Sequence, residues 1–409
     1  MRVLLTTIGS RGDVQPMVAL ALELKNLGQE VRLCVPPDFR DWIDGLGLPV
    51  VSIGPELRGT AASGSTVERA QPSAEDLRKQ VDDTVADQFT TVGTAAQGCD
   101  VVVAGGYLQI AGRSVAETLG IPYVFAGYCP VCLPSPHHAP PPMRGRARPH
   151  ETSDNRTLWA LDAQHWNDVF GTALNAHRTS AGLAPVSDVR GHIFTDRPWL
   201  AADPALGPWP GPAVIQTGAW ILPDQRPLSD ELETFLSAGE PPVYFGLGSM
   251  RAPDGIDQVM IDAARKLGRR AIVSRGWAGL SLVDGGRDCL SVGEVNQQAL
   301  FQRVAAVVHH GGAGTTTTAA RAGAPQVVLP QMYDQYYWAQ RVEDLGIGSG
   351  HPPGAPTVGS LVTALGRALE PEAAANARSV AATVYTEGAR DAAQRLVAAI
   401  PQRSSANRP

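Results

Sequence analysis

A chain of 409 residues is too long for one ordinary hydrophobic core, and its 44% apolar and 18% charged content reads as two globular domains of roughly 200 residues each. With 34 basic and 40 acidic side chains the formal net charge is −6, which gives no electrostatic reason to expect nucleic acid or an anionic membrane as a partner. No apolar run reaches the ~18 residues of a membrane span, residues 2–8 already read as a buried strand without a signal-peptide pattern, and the five cysteines are odd in number, so a cytoplasmic protein with reduced thiols is expected.

In the first half, strands are predicted at 3–8, 30–35, 50–53, 100–104 and 122–126, with helices between them. The clearest helix covers 14–27, with apolar residues at helical spacing and Gly28 as its stop. Strand one runs directly into Gly9-Ser10-Arg11-Gly12-Asp13, a glycine turn ahead of that helix. Asp13 is either a cap for the helix or a carboxylate at the mouth of a cleft. Residues 129–156 break the pattern: they are rich in proline, basic and small polar residues, and no packed element is expected there. Cys129-Pro130-Val131-Cys132, followed by His137 and His138, has the local look of a redox dithiol or a zinc half-site. No second C-x-x-C follows and no helix is placed to lower a thiol pKa, so loop residues beside a pocket are the better reading.

A second alternating set begins after Trp199 and the proline- and glycine-rich stretch 203–212, with strands at 243–247, 271–274, 290–292, 305–308 and 326–329. Helices at 374–384 and 389–400 and a polar tail close the chain. Strands alternating with helices make parallel sheets covered on both faces, so the fold class is α/β, two doubly wound Rossmann-like domains in series. Ligands in such folds bind outside the carboxyl ends of the strands; if the domains face one another, the central cleft is the site.

Three turns in the second half meet that expectation. His309-His310-Gly311-Gly312-Ala313-Gly314-Thr315-Thr316 lies where a strand ends and a helix starts, and the free N–H groups of a helix N-terminus bind phosphate. His310 adds a donor or a full positive charge there, and a buried histidine pair beside a tight turn is the structural alternative. Gly246-Leu247-Gly248-Ser249 repeats the design at the first strand of the second set. Pro330-Gln331-Met332-Tyr333-Asp334-Gln335 offers a carboxylate and an amide suited to adjacent sugar hydroxyls. Neither G-x-G-x-x-G nor G-x-x-x-x-G-K-[ST] occurs, and there is no D-x-D to hold a divalent metal.

These turns, together with 216–224 (Gln-Thr-Gly-Ala-Trp-Ile-Leu-Pro-Asp), Ser274-Arg275-Gly276-Trp277 and Val292-Gly293-Glu294-Val295-Asn296, resemble family-one glycosyltransferases of the GT-B fold, in particular the actinobacterial enzymes that glycosylate vancomycin- and teicoplanin-type aglycones. The resemblance covers nearly the whole chain. It implies an acceptor-binding domain over 1–205, a linker at 206–225, a nucleotide-sugar-binding domain over 226–385, and a final helix within 386–409 that returns to the first domain. It also implies metal-independent, inverting transfer of a hexose from a UDP- or TDP-sugar to a hydroxyl, phenolic by preference, of a natural-product aglycone, with no cofactor.

By the same resemblance Asp13 is the general base. Ser10, Ser249, His310, Gly311, Gly312, Gly314 and Thr315 hold the donor diphosphate, and Asp334 and Gln335 hold its sugar. Arg275, Trp277, Glu294 and Val295 face the nucleobase; many relatives have tryptophan in the 293–295 loop where Glu294 stands here. Tyr107, Tyr128, His137 and His138 fall where the family binds its acceptor. The Asp334–Gln335 pair favours a fully hydroxylated hexose over a deoxysugar. Rival readings are a sugar-nucleotide epimerase of the same architecture, a noncatalytic helper of a glycosyltransferase, and an NAD oxidoreductase, the last lacking its fingerprint.

Overall fold

The computed structural model describes residues 1–58, 73–142, 154–282 and 284–400. Among these, β1 (Arg2–Thr7), β2 (Glu30–Val35), β3 (Val50–Ser52), β4 (Val101–Gly105), β5 (Tyr123–Gly127), β6 (Trp199–Leu200) and β7 (Ile215–Gln216) form one parallel sheet in the order β3-β2-β1-β4-β5-β6-β7. A second parallel sheet has the order β10-β9-β8-β11-β12-β13, from β8 (Val243–Gly246), β9 (Ala271–Ser274), β10 (Cys289–Val292), β11 (Ala306–His309), β12 (Gln326–Val328) and β13 (Gly348–Gly350). The structure thus has two doubly wound α/β domains.

Side-chain alternation explains why these strands run as continuous apolar stretches. Val3 and Leu5 of β1 enter one core with the helix Arg11–Asn26, whereas Leu4 points to the opposite face, where Cys34 and Val102 pack with the helices Ala74–Ala95 and Gly112–Leu119. Val243 and Phe245 divide from Tyr244 in the same way in the second sheet. Both faces are covered, so polar alternation is absent.

Several elements escape the sequence pattern. β6, β7 and β13 are two or three residues long. A long helix, Asn155–Ser180, begins where the proline-rich stretch ends, capped by the Asp154 carboxylate, which accepts from the Thr157 N–H at 2.9 Å. Residues 143–153 of that stretch, which include its arginine cluster, lie outside the described residues. Within 206–225, β7 joins the first sheet and the Gln216 side-chain amide donates to the carbonyls of Ala202 and Gly207, both at 2.9 Å.

The last helix, Gly388–Ala399, packs Ala389, Ala392, Ala393 and Leu396 into the core that holds Val3 and Leu5. The chain therefore crosses between domains twice, and the crossings touch backbone to backbone: a Cβ on Gly388 would stand 2.5 Å from the Ala219 carbonyl oxygen and 2.6 Å from the carbonyl carbon of Gly218. Buried Asp203 locks the same place, accepting from the Ala205 N–H at 2.8 Å and the Tyr385 N–H at 2.7 Å. Gly388→Val is expected to destabilise the protein by ~1–3 kcal/mol through this overpacking, read as a lower urea midpoint. An unchanged midpoint would mean that the crossing strands can simply spread.

Candidate active site

In each sheet the strand order reverses direction at one point, between β1 and β4 in the first and between β8 and β11 in the second. Such switch points open a crevice at the carboxyl ends of the strands. The turns that follow β1, β8 and β11 are the glycine turns singled out in the sequence, and they line a single cleft of about 440 Å³ between the domains.

On the first domain's wall, Asp13 stands in the first turn of the helix Arg11–Asn26 and its carboxylate accepts from the Ser10 N–H at 2.9 Å. It both caps the helix and lines the cleft. Burial pushes its pKa up to about 7, against the opposing hydrogen bond from Ser10, and the Asp334 charge adds to the rise. The Gly9 and Gly106 backbones crowd this carboxylate, leaving no room at Gly9 for a side chain. Tyr128 closes the back of the turn, its hydroxyl donating to the Asp13 carbonyl at 3.2 Å.

Across the cleft, the helix Ala313–Arg321 starts with Gly312 as its N-cap and no side chain capping it. Gly312, Gly314, Thr315 and Ser249 line the cleft around that N-terminus. The His310 ring is wedged between two glycines: a Cβ would come within 2.9 Å of it at Gly248 and 2.6 Å at Gly312. Its Nδ1 is buried without a hydrogen-bond partner, and burial lowers its pKa to about 4. Burial therefore disfavours the imidazolium in this slot, so that of the two expected forms the neutral ring is the one the surroundings favour.

The neighbouring residues divide differently from expectation. His309 is fully buried, its Nδ1 accepting from the Gly311 N–H at 3.1 Å while Nε2 lies 2.9 Å from the Gln326 side-chain oxygen. That pattern assigns the proton to Nε2. Gly311 must be corrected as a phosphate ligand: its N–H is spent on His309, it does not line the cleft, and its φ of 89° serves to turn the chain beneath Val328.

Asp334 and Gln335 both line the cleft. Asp334 accepts from the Trp338 indole N–H at 3.1 Å, and burial raises its pKa to about 6. Tyr333, just before it, holds the left-handed conformation at φ 48°, a strained geometry for a side-chain-bearing residue that sets the turn. The Gln335 oxygen is already committed, accepting from the Gln331 and Met332 N–H groups at 2.7 and 3.2 Å, and its amide N–H points to the Met250 sulfur at 3.4 Å. Gln335 thus rigidifies the turn that presents Asp334.

Arg275, Trp277, Glu294 and Val295 cluster at one end of the cleft. Of the four residues in the acceptor stretch, only Tyr128 lines it. Tyr107 turns into the first domain's core against Trp166 and Phe194, His138 sits edge-on to Trp159 and Trp209, and His137 is exposed. Sequence reasoning left unassigned Arg11, Arg58, Asp224, Arg226 and Trp220, which also line the cleft. Arg11, Trp220 and Asp224 lay inside motifs singled out in the sequence and were open to notice; Arg58 and Arg226 come from segments with no local signal.

Comparison with known proteins bears on the family and the fold. Residues 3–134 match the glycosyltransferase family 28 N-terminal domain, and residues 281–400 match the C-terminal domain of the erythromycin biosynthesis protein CIII-like family. The chain is 51% identical to the vancomycin aglycone glucosyltransferase of Amycolatopsis orientalis over 98% of both chains. It is 44% identical to the dTDP-epi-vancosaminyltransferase of the same organism over 93% of both. Among solved structures, the glycosyltransferase of kitacinnamycin superposes with a TM-score of 0.72 at 18% identity, covering 98% of this chain and 99% of that one. The glycosyltransferase VinC, solved in complex with dTDP, superposes with a TM-score of 0.65 at 22% identity over 97% and 99% of the two chains. With its paired switch-point turns and full-length likeness, the chain belongs to the family-one glycosyltransferases of the GT-B fold and is an enzyme of that family, similar to those that glycosylate vancomycin-type aglycones.

Proposed function

We propose that this enzyme transfers a hexose from a UDP- or TDP-sugar to a phenolic hydroxyl of a glycopeptide-type aglycone, with inversion and without a metal ion. The observation that carries this reading is a carboxylate on one wall of the cleft, Asp13, set against an uncapped helix N-terminus with the neutral donor His310 on the other. Asp13 takes the hydroxyl proton, the acceptor oxygen bonds to the anomeric carbon, and the bond to the diphosphate breaks with its electron pair leaving on the phosphate. Base and leaving-group cradle on opposite walls favour a single in-line displacement, hence inversion. A base with a pKa of about 7 suits a phenol, whose pKa is near ~10, far better than an aliphatic alcohol.

The developing phosphate charge meets preorganised donors, the first N–H groups of Ala313–Arg321, His310, Thr315 and Ser249, which can stand in for a metal. Among the described residues no three His, Cys, Asp or Glu side chains gather as an ion site. Asp334, held by Trp338, accepts from sugar hydroxyls, which supports a fully hydroxylated hexose, and the glucosyltransferase named above is a relative in keeping with that. The acceptor class rests on the relatives' names; in the cleft itself Tyr128 and Trp220 supply its aromatic wall.

Calorimetric titration with UDP and with TDP in a chelating buffer tests the donor side. Binding of one or both at micromolar or tighter Kd is expected, and sugar transfer to a vancomycin-type aglycone in the same buffer should yield a product of inverted anomeric configuration by NMR. Nucleotide binding or transfer that appears only when a divalent ion is restored would overturn the metal-independent mechanism.

A further inference from the structure

Six side chains close a ring where Arg11, Arg58, Trp277 and Glu294 line the cleft, and they come from both domains. Arg11 lies over the Trp42 ring at 4.8 Å and pairs with Glu294 at 3.0 Å. Glu294 also meets Arg58 at 4.0 Å, and Arg58 lies over the Trp277 ring at 5.9 Å. Trp277 stacks on Phe39, 6.0 Å between centroids and 27° between planes, and Phe39 meets Trp42 edge-on at 6.4 Å, completing the circuit. Arg11, Phe39, Trp42 and Arg58 belong to the segments around β1, β2 and β3 of the first domain; Trp277 and Glu294 follow β9 and β10 of the second.

The contrast with the rest of the interface gives this ring its meaning. Deep between the domains, Trp338 and Ala320 of the second domain pack in one apolar cluster with Cys129, Leu133 and Leu206 of the first, and Arg341 donates to the Leu206 carbonyl at 2.8 Å. That contact removes apolar surface of both domains from water. At the ring, Glu294 and Arg58 are solvent-exposed and Arg11 is half-buried, with side-chain exposures of 59%, 67% and 33%. Exposed ion pairs and cation–π contacts are individually weak and reversible, so this rim holds the domains less firmly than the apolar cluster does.

We propose that the ring is an interdomain latch, with Glu294 and Trp277 as positioning residues for sugar transfer. Glu294 acts on Arg11, two residues before Asp13 in the same helical turn, so the grip of the second domain on the first also sets where the base stands. Trp277 has one face on Phe39 and Arg58 near its ring, which makes its first task holding the domains and not stacking on a base. When the latch opens, nucleotide-sugar enters; when it closes, water is excluded and Asp13 reaches the anomeric centre. The inference rests on the glycosyl-transfer reading for its catalytic consequence, but not for the latch itself.

The test pairs distance with turnover. Spin labels on exposed positions, introduced as Asn26→Cys and Gln258→Cys, report the domain separation of the full chain by pulsed electron resonance. The parent protein should show a narrow, short distribution. Glu294→Gln, Trp277→Ala and high salt should each broaden it toward longer distances, and Glu294→Asp should restore most of the short population. In the same variants transfer falls about fivefold for Glu294→Gln with UDP or TDP affinity nearly unchanged, and the ratio of donor hydrolysis to transfer rises. Unchanged distances in Glu294→Gln and Trp277→Ala overturn the latch, as does a loss of nucleotide affinity that matches the loss of turnover. Failure of any nucleotide to bind the parent protein would instead sink the proposed donor, and the distances would still decide the latch.

Discussion

Asp13→Asn is expected to reduce sugar transfer by ~10²–10⁴-fold, the usual worth of a positioned general base, while UDP or TDP binding is retained. The substitution is mild structurally, because the asparagine oxygen can still accept from the Ser10 N–H that the carboxylate accepts at 2.9 Å. What it removes is the proton acceptor. In the parent enzyme the pH profile carries the same signature. Burial, reinforced by the Asp334 charge, raises the Asp13 pKa to about 7, and the base works only when ionised. Donor-limited kcat/KM should therefore fall about tenfold per pH unit below that value and level off above it, measured in steady state over a range where the fold is intact. A flat profile, or an Asp13→Asn enzyme of normal turnover, would leave Asp13 as a helix cap alone.

His310→Ala should cost ~10²–10³-fold in turnover, the magnitude seen when one preorganised donor to a developing negative charge is deleted. The ring sits in a slot between Gly248 and Gly312, neutral because burial lowers its pKa to about 4, with Nδ1 buried and unpartnered. A neutral donor on the cleft wall, as proposed for His310, acts mainly when charge appears on the leaving group, so kcat should suffer more than nucleotide affinity. The N–H groups of the helix Ala313–Arg321 remain, which keeps binding measurable. His310→Gln, which can still present an N–H, should recover part of the loss. Single-turnover rates beside calorimetric affinities separate the two effects; equal losses in both would reduce His310 to a ground-state ligand, and no loss would reduce it to packing.

The order of strands and glycine turns was legible because the signals are local. A β strand buried on both faces must be apolar along its length, and a sharp turn from such a strand into a helix calls for small residues; Val3 to Ile8 followed by Gly9, and Ala306 to His309 followed by Gly311 and Gly312, show both. Elements of two or three residues, such as β6, β7 and β13, have no period to read, and they exist only because a neighbouring strand offers its edge. The helix Asn155–Ser180 was obscured for a related reason: it follows a proline-rich stretch, and only a few of its residues, among them Trp159, Trp166 and Leu174, are buried.

Residue chemistry therefore settled the two α/β domains, their switch-point turns and the residue types gathered there, since each depends on contacts within a few positions of the chain. The division of labour among those residues was set by folding in three dimensions. His309 and His310 are adjacent and identical in type, yet alternation at the end of β11 sends one to Gln326 beneath the sheet and the other into the cleft. Asp13 acquires its raised pKa from burial and from Asp334, more than 300 positions away. Tyr107 and His138 are drawn into aromatic clusters with Trp166, Trp159 and Trp209, leaving Tyr128 to face the cleft. The ring that joins Arg11 and Arg58 to Glu294 and Trp277 has no local precursor at all, because its contacts arise when two separately wound sheets are brought face to face.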